Sequence, residues 1–206
     1  MQTIQFMPKL SAASKMPCPS FSIPAQACKT GSKLAKVAGS VCHGCYALKG
    51  RYLYSNVKNH RAHNLSALDD LDTWRRSLIK TIKDNDVTGY FRWHDSGDIQ
   101  SEAHLMAIMD IAEALPDIKF WLPTKEKGIL AKVKRKRLMP DNLTVRLSMP
   151  MIDMPPSNTN ELTSTVRSKS GAVHGVECKA PDNNGKCGTC RACWDKSIKN
   201  ITYIKH

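Results

Sequence analysis

The pattern of apolar and polar positions changes near residue 55. Up to Tyr54 the chain is rich in proline and serine and shows little periodicity. The next stretch predicts two helices, a polar one over residues 56–68 and an amphipathic one over residues 71–83, where apolar side chains recur at helical spacing. We expect these two segments to form a helical hairpin or one bent helix.

The middle of the chain alternates between strand and helix patterns. We predict strands at residues 89–94, 118–122 and 143–148, separated by helices at residues 102–115 and 127–137. Strands that alternate with helices indicate parallel βα units. The predicted fold class is therefore α/β, with a partial (β/α) barrel or a parallel sheet, and a functional site is expected at the carboxyl ends of the strands.

Length and composition favour one domain. A chain of 206 residues that is 41% hydrophobic can bury one core. We expect a single domain over residues 1–206, made of a cysteine-bearing N-terminal segment (1–54), a βα core (55–150) and a cysteine-rich C-terminal segment packed on the core (172–206). No apolar run approaches the roughly 20 residues of a membrane span, and the N-terminus lacks the apolar core of a signal peptide. The expected location is the cytoplasm, with reduced thiols and no membrane partner.

Eight cysteines in two groups of four are the strongest indication of chemistry. The first group is Cys18, Cys28, Cys42 and Cys45, and the second is Cys178, Cys187, Cys190 and Cys193. Three cysteines of the second group follow the C-x2-C-x2-C spacing with which bacterial ferredoxins wrap a cubane. A disulfide framework fits this run poorly, because neighbouring cysteines in a tight turn cannot all reach acceptable partners. We therefore expect one or two [4Fe-4S] clusters.

The division of these cysteines between clusters has alternatives. Cys28, Cys42 and Cys45 would hold one cluster, either with Cys18 as the fourth ligand or with one iron left open. The second cluster would be held by Cys178, Cys187, Cys190 and Cys193. In two-cluster ferredoxins a distant cysteine serves the other cluster, so Cys18 and Cys178 could exchange places. A single cluster with the remaining thiols free or zinc-bound also fits the spacing, because the first group contains a C-x2-C knuckle of the kind that binds zinc.

Polar residues follow the predicted strands where a site is expected. The first strand runs into a loop with one histidine and two carboxylates, the second into Thr124-Lys125, and the third contains Arg146. Ser101 is a helix cap, but capping accounts for neither the second carboxylate nor the histidine. The candidate catalytic or ligand-binding residues are His94, Asp95, Asp98, Lys125 and Arg146, with Lys125 as the group that binds an anion.

The charge of the chain suggests a second interpretation. Lys and Arg total 31 against 18 Asp and Glu, which gives a formal net charge of +13. Such a charge favours an anionic partner such as nucleic acid. The alternative function is therefore a zinc-stabilised nucleic-acid-binding module, in which the basic helix at Lys132 to Arg137 contacts phosphates.

Four motifs resemble the bacteriophage gene product 88 family. They are Cys42-His-Gly-Cys45-Tyr46-Ala47, Phe91-Arg-Trp-His-Asp-Ser-Gly-Asp98, Leu143-Thr-Val-Arg-Leu-Ser148 and the final cysteine run that closes in Cys193-Trp194. The resemblance covers most of the chain. It implies a phage protein that acts in the host cytoplasm and has metal-binding cysteines.

The C-x2-C-aromatic loop ahead of parallel βα units is, more distantly, similar to radical-SAM enzymes. That similarity implies a partial (β/α) barrel in which three cysteines hold a cubane and one iron is open to S-adenosylmethionine. The chain departs from the usual C-x3-C-x2-C spacing, since thirteen residues separate Cys28 from Cys42, and it has no Gly-Gly-Glu. We therefore expect an iron–sulfur protein with an electron-transfer or radical-SAM-like role, whose partner is a redox protein or a host protein.

Overall fold

The computed structural model describes residues 7–13, 15–85, 89–157 and 160–205, in which helices flank a parallel sheet. The α-helices are α1 (Lys29–Leu34), α2 (Ser55–Ser66), α3 (Leu71–Asp84), α4 (Glu102–Ala114) and α5 (Lys127–Lys134). The strands are β1 (Ser20–Phe21), β2 (Tyr90–Trp93), β3 (Lys119–Thr124), β4 (Leu143–Ile152), β5 (Thr163–Arg167), β6 (Val176–Glu177) and β7 (Asn200–Ile204). None of the described helices is long and apolar enough to cross a bilayer.

The seven strands form one sheet in the order β1-β2-β3-β4-β5-β7-β6. Every neighbouring pair runs parallel, as in the register that sets Phe120 opposite Leu143. The α/β class and the parallel sheet are therefore confirmed. All strands point their carboxyl ends to the same edge, which we call the C-terminal edge.

Three of the seven strands match the predicted ones. β2, β3 and β4 lie where strands were expected, although β4 continues to Ile152. The other four were missed. β1 and β6 have two residues each, too few to give a pattern. β5 and β7 are rich in polar residues that satisfy one another, as when the Thr163 hydroxyl donates to the Asn200 amide oxygen over 2.8 Å.

The helix boundaries follow local hydrogen bonds. Ser101 caps α4 as predicted, because its hydroxyl accepts from the His104 backbone N–H over 3.0 Å. The Asp70 carboxylate does the same for α3. α5 ends at Lys134, earlier than expected, because the N–H groups of Lys136 and Arg137 both turn back to the Val133 carbonyl.

One face of the sheet packs on helices and holds the main core. Alternate residues of β2, β3 and β4 point to this face and are buried with α3, α4 and α5: Phe91, Trp93, Phe120, Leu122, Leu143 and Val145. Each such side chain contributes about 1.5–3 kcal/mol by leaving water. This face therefore supplies most of the hydrophobic stabilisation.

The other face of the sheet is covered by the C-terminal cysteine segment (residues 187–198). Trp194 packs edge-on against Trp121, with ring centroids 5.3 Å apart, and its indole N–H donates to the Phe91 carbonyl. The Thr144 hydroxyl donates to the Trp194 carbonyl over 2.8 Å. The final cysteine run is therefore fixed directly against the sheet.

Candidate functional site

Asp98 joins the carboxyl ends of β2 and β3. One of its carboxylate oxygens accepts from the Thr124 hydroxyl over 2.6 Å, and the other accepts from the Lys125 backbone N–H over 2.8 Å. Burial raises the pKa of Asp98 to about 6, although these hydrogen bonds oppose the rise. The side chain is thus a positioning group at the C-terminal edge, with a pKa nearer neutrality than that of an ordinary aspartate.

Asp95 lies at the same edge but is held by cationic and hydroxyl partners. Its carboxylate pairs with Arg61 over 3.2 Å and accepts hydrogen bonds from Tyr52 and Ser22. The Arg61 guanidinium also stacks 4.5 Å above the Tyr52 ring. The Asp95 backbone carbonyl accepts from the Tyr46 hydroxyl over 2.5 Å. These contacts fix the Tyr46–Leu48 and Gly50–Leu53 turns onto the sheet edge.

His94 is placed in the aromatic core. It is 3% exposed, and its ring lies 5.6 Å from that of His104 and 6.1 Å from that of Trp93. Neither ring nitrogen has a hydrogen-bond partner among the described residues. Burial lowers the pKa of His94 to about 3, so the imidazole is neutral at physiological pH.

Arg146 lies apart from the strand-end residues with which it was grouped. It lies in the middle of β4 on the face that carries the C-terminal cysteine segment. Its guanidinium donates to four carbonyls of that segment over 2.7–3.1 Å: Ala192, Cys193, Asp195 and Ile198. Five donors in a fixed fork can satisfy several carbonyls at once. Arg146 is therefore a structural anchor.

Three cysteines gather at the C-terminal edge, and we call Cys28, Cys42 and Cys45 the edge trio. Cys28 immediately precedes α1, which is tied to the end of β3 because the Glu126 carboxylate accepts from the backbone N–H and the hydroxyl of Thr30. The loop that carries the other two cysteines is tied to β4 by the bond from the Val41 N–H to the Pro150 carbonyl.

The edge trio is half-buried, and its environment includes both signs of charge. Burial raises the pKa of Cys28 to about 12, and Asp98, Cys45 and Cys42 add to the rise. Burial also lowers the pKa of Lys125, and the thiols of the trio partly oppose this shift by raising it. Lys125 therefore lies within electrostatic reach of the trio, and its ammonium donates to the Met149 carbonyl over 3.3 Å.

A glycine keeps space open beside the edge trio. A methyl group at Gly31 would stand 2.9 Å from the Cys28 Cβ, 3.5 Å from its Sγ and 3.7 Å from the Cys42 Sγ. Any larger side chain there would press on both thiols. The trio therefore combines thiolate-forming donors with room next to them, and this donor set suits iron–sulfur ligation.

The other five cysteines form a second group, which we call the sheet-face group: Cys18, Cys178, Cys187, Cys190 and Cys193. Burial raises the pKa of Cys18 to about 12, and its neighbouring thiols are Cys187 and Cys193. Burial raises the pKa of Cys193 to about 11, Cys178 adds to the rise, and its Sγ lies 3.2 Å from the Tyr203 hydroxyl. The structure thus brings Cys18 to the C-terminal cysteines and not to the edge trio.

The buried thiols of both groups require positive charge in order to ionise. Burial also raises the pKa values of Cys42 and Cys187. Thiolates are the form that ligates metal, so a cationic centre must offset the cost of burying them. Within the described ranges, no three His, Cys, Asp or Glu side chains are arranged to hold a single metal ion.

Sequence reasoning missed the residues that hold the site together. Arg61, Tyr52 and Tyr46 fix the Asp95 loop, and Tyr203 contacts Cys193. The three partners of Asp95 are distant from it in sequence, so no local spacing reveals those pairs. One signal was available for Arg61, which has no acidic residue close to it in sequence. A buried arginine in such a segment needs a carboxylate from a distant part of the chain.

Comparison with known proteins identifies the family. The model of the family described as gene product 88 matches residues 3–196. No curated protein and no solved structure is significantly similar to the chain. The matched region includes all eight cysteines and every strand except β7. The chain therefore belongs to the phage gene product 88 family.

Proposed function

We propose that this is an iron–sulfur protein that holds two [4Fe-4S] clusters and has a redox or radical-SAM-like role. The observation that carries the proposal is the division of eight thiols into two separate groups, three at the C-terminal edge and five against the sheet face. Two groups of thiols, most of them at least half-buried, match the chemistry of thiolate-bound clusters, which would supply one-electron chemistry when bound.

The edge trio would hold the first cluster with one iron free of protein thiolate. A cubane has four irons and the trio has three thiols, because Cys18 lies with the other group. Lys125 stands beside the trio and can pair with an anionic group of a ligand. Asp98 fixes the Lys125 backbone by accepting from its N–H, and the Met149 carbonyl accepts from its ammonium. This geometry favours a small anionic molecule as the substrate or cosubstrate.

The sheet-face group would hold the second cluster with four thiolates. Cys18 neighbours Cys187 and Cys193, and Cys178 also neighbours both. Cys190 is exposed, and it lies within electrostatic reach of Cys187. We therefore assign Cys18, Cys178, Cys187 and Cys193 as the ligands and leave Cys190 out. A fully ligated cluster can transfer electrons or stabilise the fold.

The zinc-stabilised nucleic-acid module receives less support from the geometry of α5. Four of its five proposed phosphate-binding residues are already paired with carboxylates, and Arg135 is the exception among the described ion pairs. Lys132 and Lys136 both pair with Glu102, and Arg137 pairs with two further acids. Phosphates would have to displace these partners. The basic helix is therefore better explained as a surface that holds α4 and α5 together.

The test is metal and sulfide analysis of protein purified without oxygen. Wild type should be brown and contain iron and sulfide in equal amounts. Cys28→Ser and Cys18→Ser should each lose about half of the iron, since each removes one ligand set, and Cys190→Ser should lose none. In reduced Cys18→Ser protein, S-adenosylmethionine should perturb the remaining paramagnetic resonance signal. Colourless protein with stoichiometric zinc would refute the proposal.

A further inference from the structure

The positive charge of this chain is concentrated in its first 68 residues. This stretch contains nine lysines and arginines and no aspartate or glutamate, since the first acidic residue is Asp69. It therefore accounts for nine of the thirteen net positive charges in a third of the chain. A charge imbalance of this size produces a local field that attracts polyanions.

Most of these charges are exposed and have no acidic partner among the described residues. Seven of them have neither an ion pair nor a side-chain hydrogen bond within the described ranges: Lys9, Lys15, Lys33, Lys36, Lys49, Arg51 and Lys58. This contrasts with α5 and the residues that follow it, where Lys132, Lys134 and Lys136 are all paired with glutamates. The N-terminal part thus carries unneutralised charge, whereas most basic residues of the helix that the sequence suggested are paired with carboxylates.

Exposed aromatic rings lie among these charges. Tyr46 is 52% exposed and Tyr54 is 60% exposed, and Leu53 beside them is 46% exposed. Tyr46 is held in place, because its hydroxyl donates to the Asp95 carbonyl and its ring packs edge-on against Tyr52 with centroids 5.5 Å apart. A tyrosine fixed by its hydroxyl but open on its ring face is a ready stacking platform.

The charges and rings lie on consecutive turns of chain. Lys49 lies between the Tyr46–Leu48 and Gly50–Leu53 turns, Arg51 lies in the second of them, and Lys58 lies one turn into α2. α2 begins at Ser55, so the positive end of its dipole lies at the same place. The Lys49 ammonium reaches the Cys42–Cys45 knuckle, where it would stand 3.8 Å from a methyl group at Gly44.

We propose that this surface, residues 46–58, binds single-stranded nucleic acid. Lysine and arginine neutralise phosphates, and exposed tyrosines stack on bases, which is how single strands are bound without sequence readout. A duplex hides its base faces and offers the tyrosines nothing to stack on. The proposal goes beyond the cluster assignment, although the knuckle beside Lys49 would bring a bound strand next to the edge trio.

The test measures binding of a labelled oligothymidylate by fluorescence anisotropy across a range of salt concentrations. The triple variant Lys49→Ala/Arg51→Ala/Lys58→Ala should weaken binding at least about tenfold and reduce the slope of log affinity against log salt by about 2. The matched control, Lys132→Ala/Lys134→Ala/Lys136→Ala, removes the same charge from α5 and should retain most of the affinity. Tyr54→Ala should weaken binding about tenfold, and Leu138→Ala, at an exposed site elsewhere, should not.

Several results would overturn the proposal. One is equal weakening by the two triple variants, which would show attraction to bulk charge. Another is equally tight binding of a duplex or of heparin, combined with no effect of Tyr54→Ala. Absence of oligothymidylate binding at low salt would also overturn the proposal. The iron content of each variant is measured in parallel, so a failure of the cluster assignment is seen separately from a failure of this surface.

Discussion

His94 couples the stability of the protein to pH. It is buried in the aromatic core with a backbone φ of 55°, and burial lowers its pKa from 6.5 to about 3. Between these two values the unfolded chain takes up a proton that the folded chain does not. The contribution of His94 to the free energy of unfolding therefore falls as the pH drops from 6.5 towards 3.

We predict that His94→Asn reduces this dependence. Asparagine tolerates a left-handed backbone, so the main loss at neutral pH is packing, about 1–3 kcal/mol. Because the variant has no imidazole to protonate, its deficit relative to wild type should shrink as the pH falls through the 6.5-to-3 window. Urea unfolding over a pH series measures the deficit.

The control for this prediction is His60→Asn on α2. Its ring bonds the Lys9 carbonyl at the surface, and its deficit should be small throughout the series. A deficit of His94→Asn that stays constant with pH would contradict the prediction.

At the scale of elements, one buried arginine decides whether the C-terminal cysteine segment stays on the sheet. Arg146 → Met removes the donors to four carbonyls and leaves them without partners against an apolar surface. We expect unfolding free energy to fall by at least about 3 kcal/mol and iron to fall by about half, since only the sheet-face group should be affected. Urea unfolding and iron analysis measure both.

Arg137→Met is the matched control for that change. Arg137 also bonds two partners, Asp110 and Glu113, but its side chain is about a third exposed. Surface pairs contribute little, so the expected loss is less than about 1 kcal/mol with iron unchanged. Equal effects of the two substitutions would mean that Arg146 does not anchor the segment.

The elements that periodicity could reveal were predicted, and those that depend on polar pairing were not. β2, β3 and α4 show apolar periodicity in sequence and lie close to their expected bounds. β5 and β7 are stabilised by hydrogen bonds between hydroxyl and amide side chains that are far apart in the chain, as between Thr163 and Asn200. No window of sequence contains both members of such a pair.

The same limit applies to the candidate site. The strand-end position of Asp98 and Lys125 followed from the order of elements, and the structure places both there. The placement of Arg146 required knowing which face of β4 is covered. The grouping of Cys18 required knowing that the C-terminal cysteine segment returns to β1 and β2, which sequence distance conceals.

At the scale of the whole molecule, β7 holds the far side of the sheet together. It lies between β5 and β6, and its Tyr203 contacts Cys193. A chain that ends at Lys199 retains all eight cysteines but lacks β7. We predict that this truncation loses about half of the iron, because β6 and the sheet-face group lose their support, and that the edge trio keeps its share. Iron analysis measures this.

A chain that ends at Ile204 serves as the control and should bind as much iron as the full sequence, because β7 is intact. Full iron in the chain that ends at Lys199 would show that the sheet-face group does not depend on β7.

The position of β7 also sets an order of events during translation. β6 emerges from the ribosome before β7 but has no neighbour in the sheet until β7 arrives and pairs with both it and β5. Cys18 is synthesised early and Cys193 late, so Cys18 lacks its neighbouring thiols during nearly the whole of translation. At ribosomal rates of about 5–20 residues per second this interval is on the order of 10 s or more. The edge trio needs the chain only as far as β4, because its two loops are tied to Glu126 and Pro150. On the proposed assignment, the first site would therefore be assembled before the second.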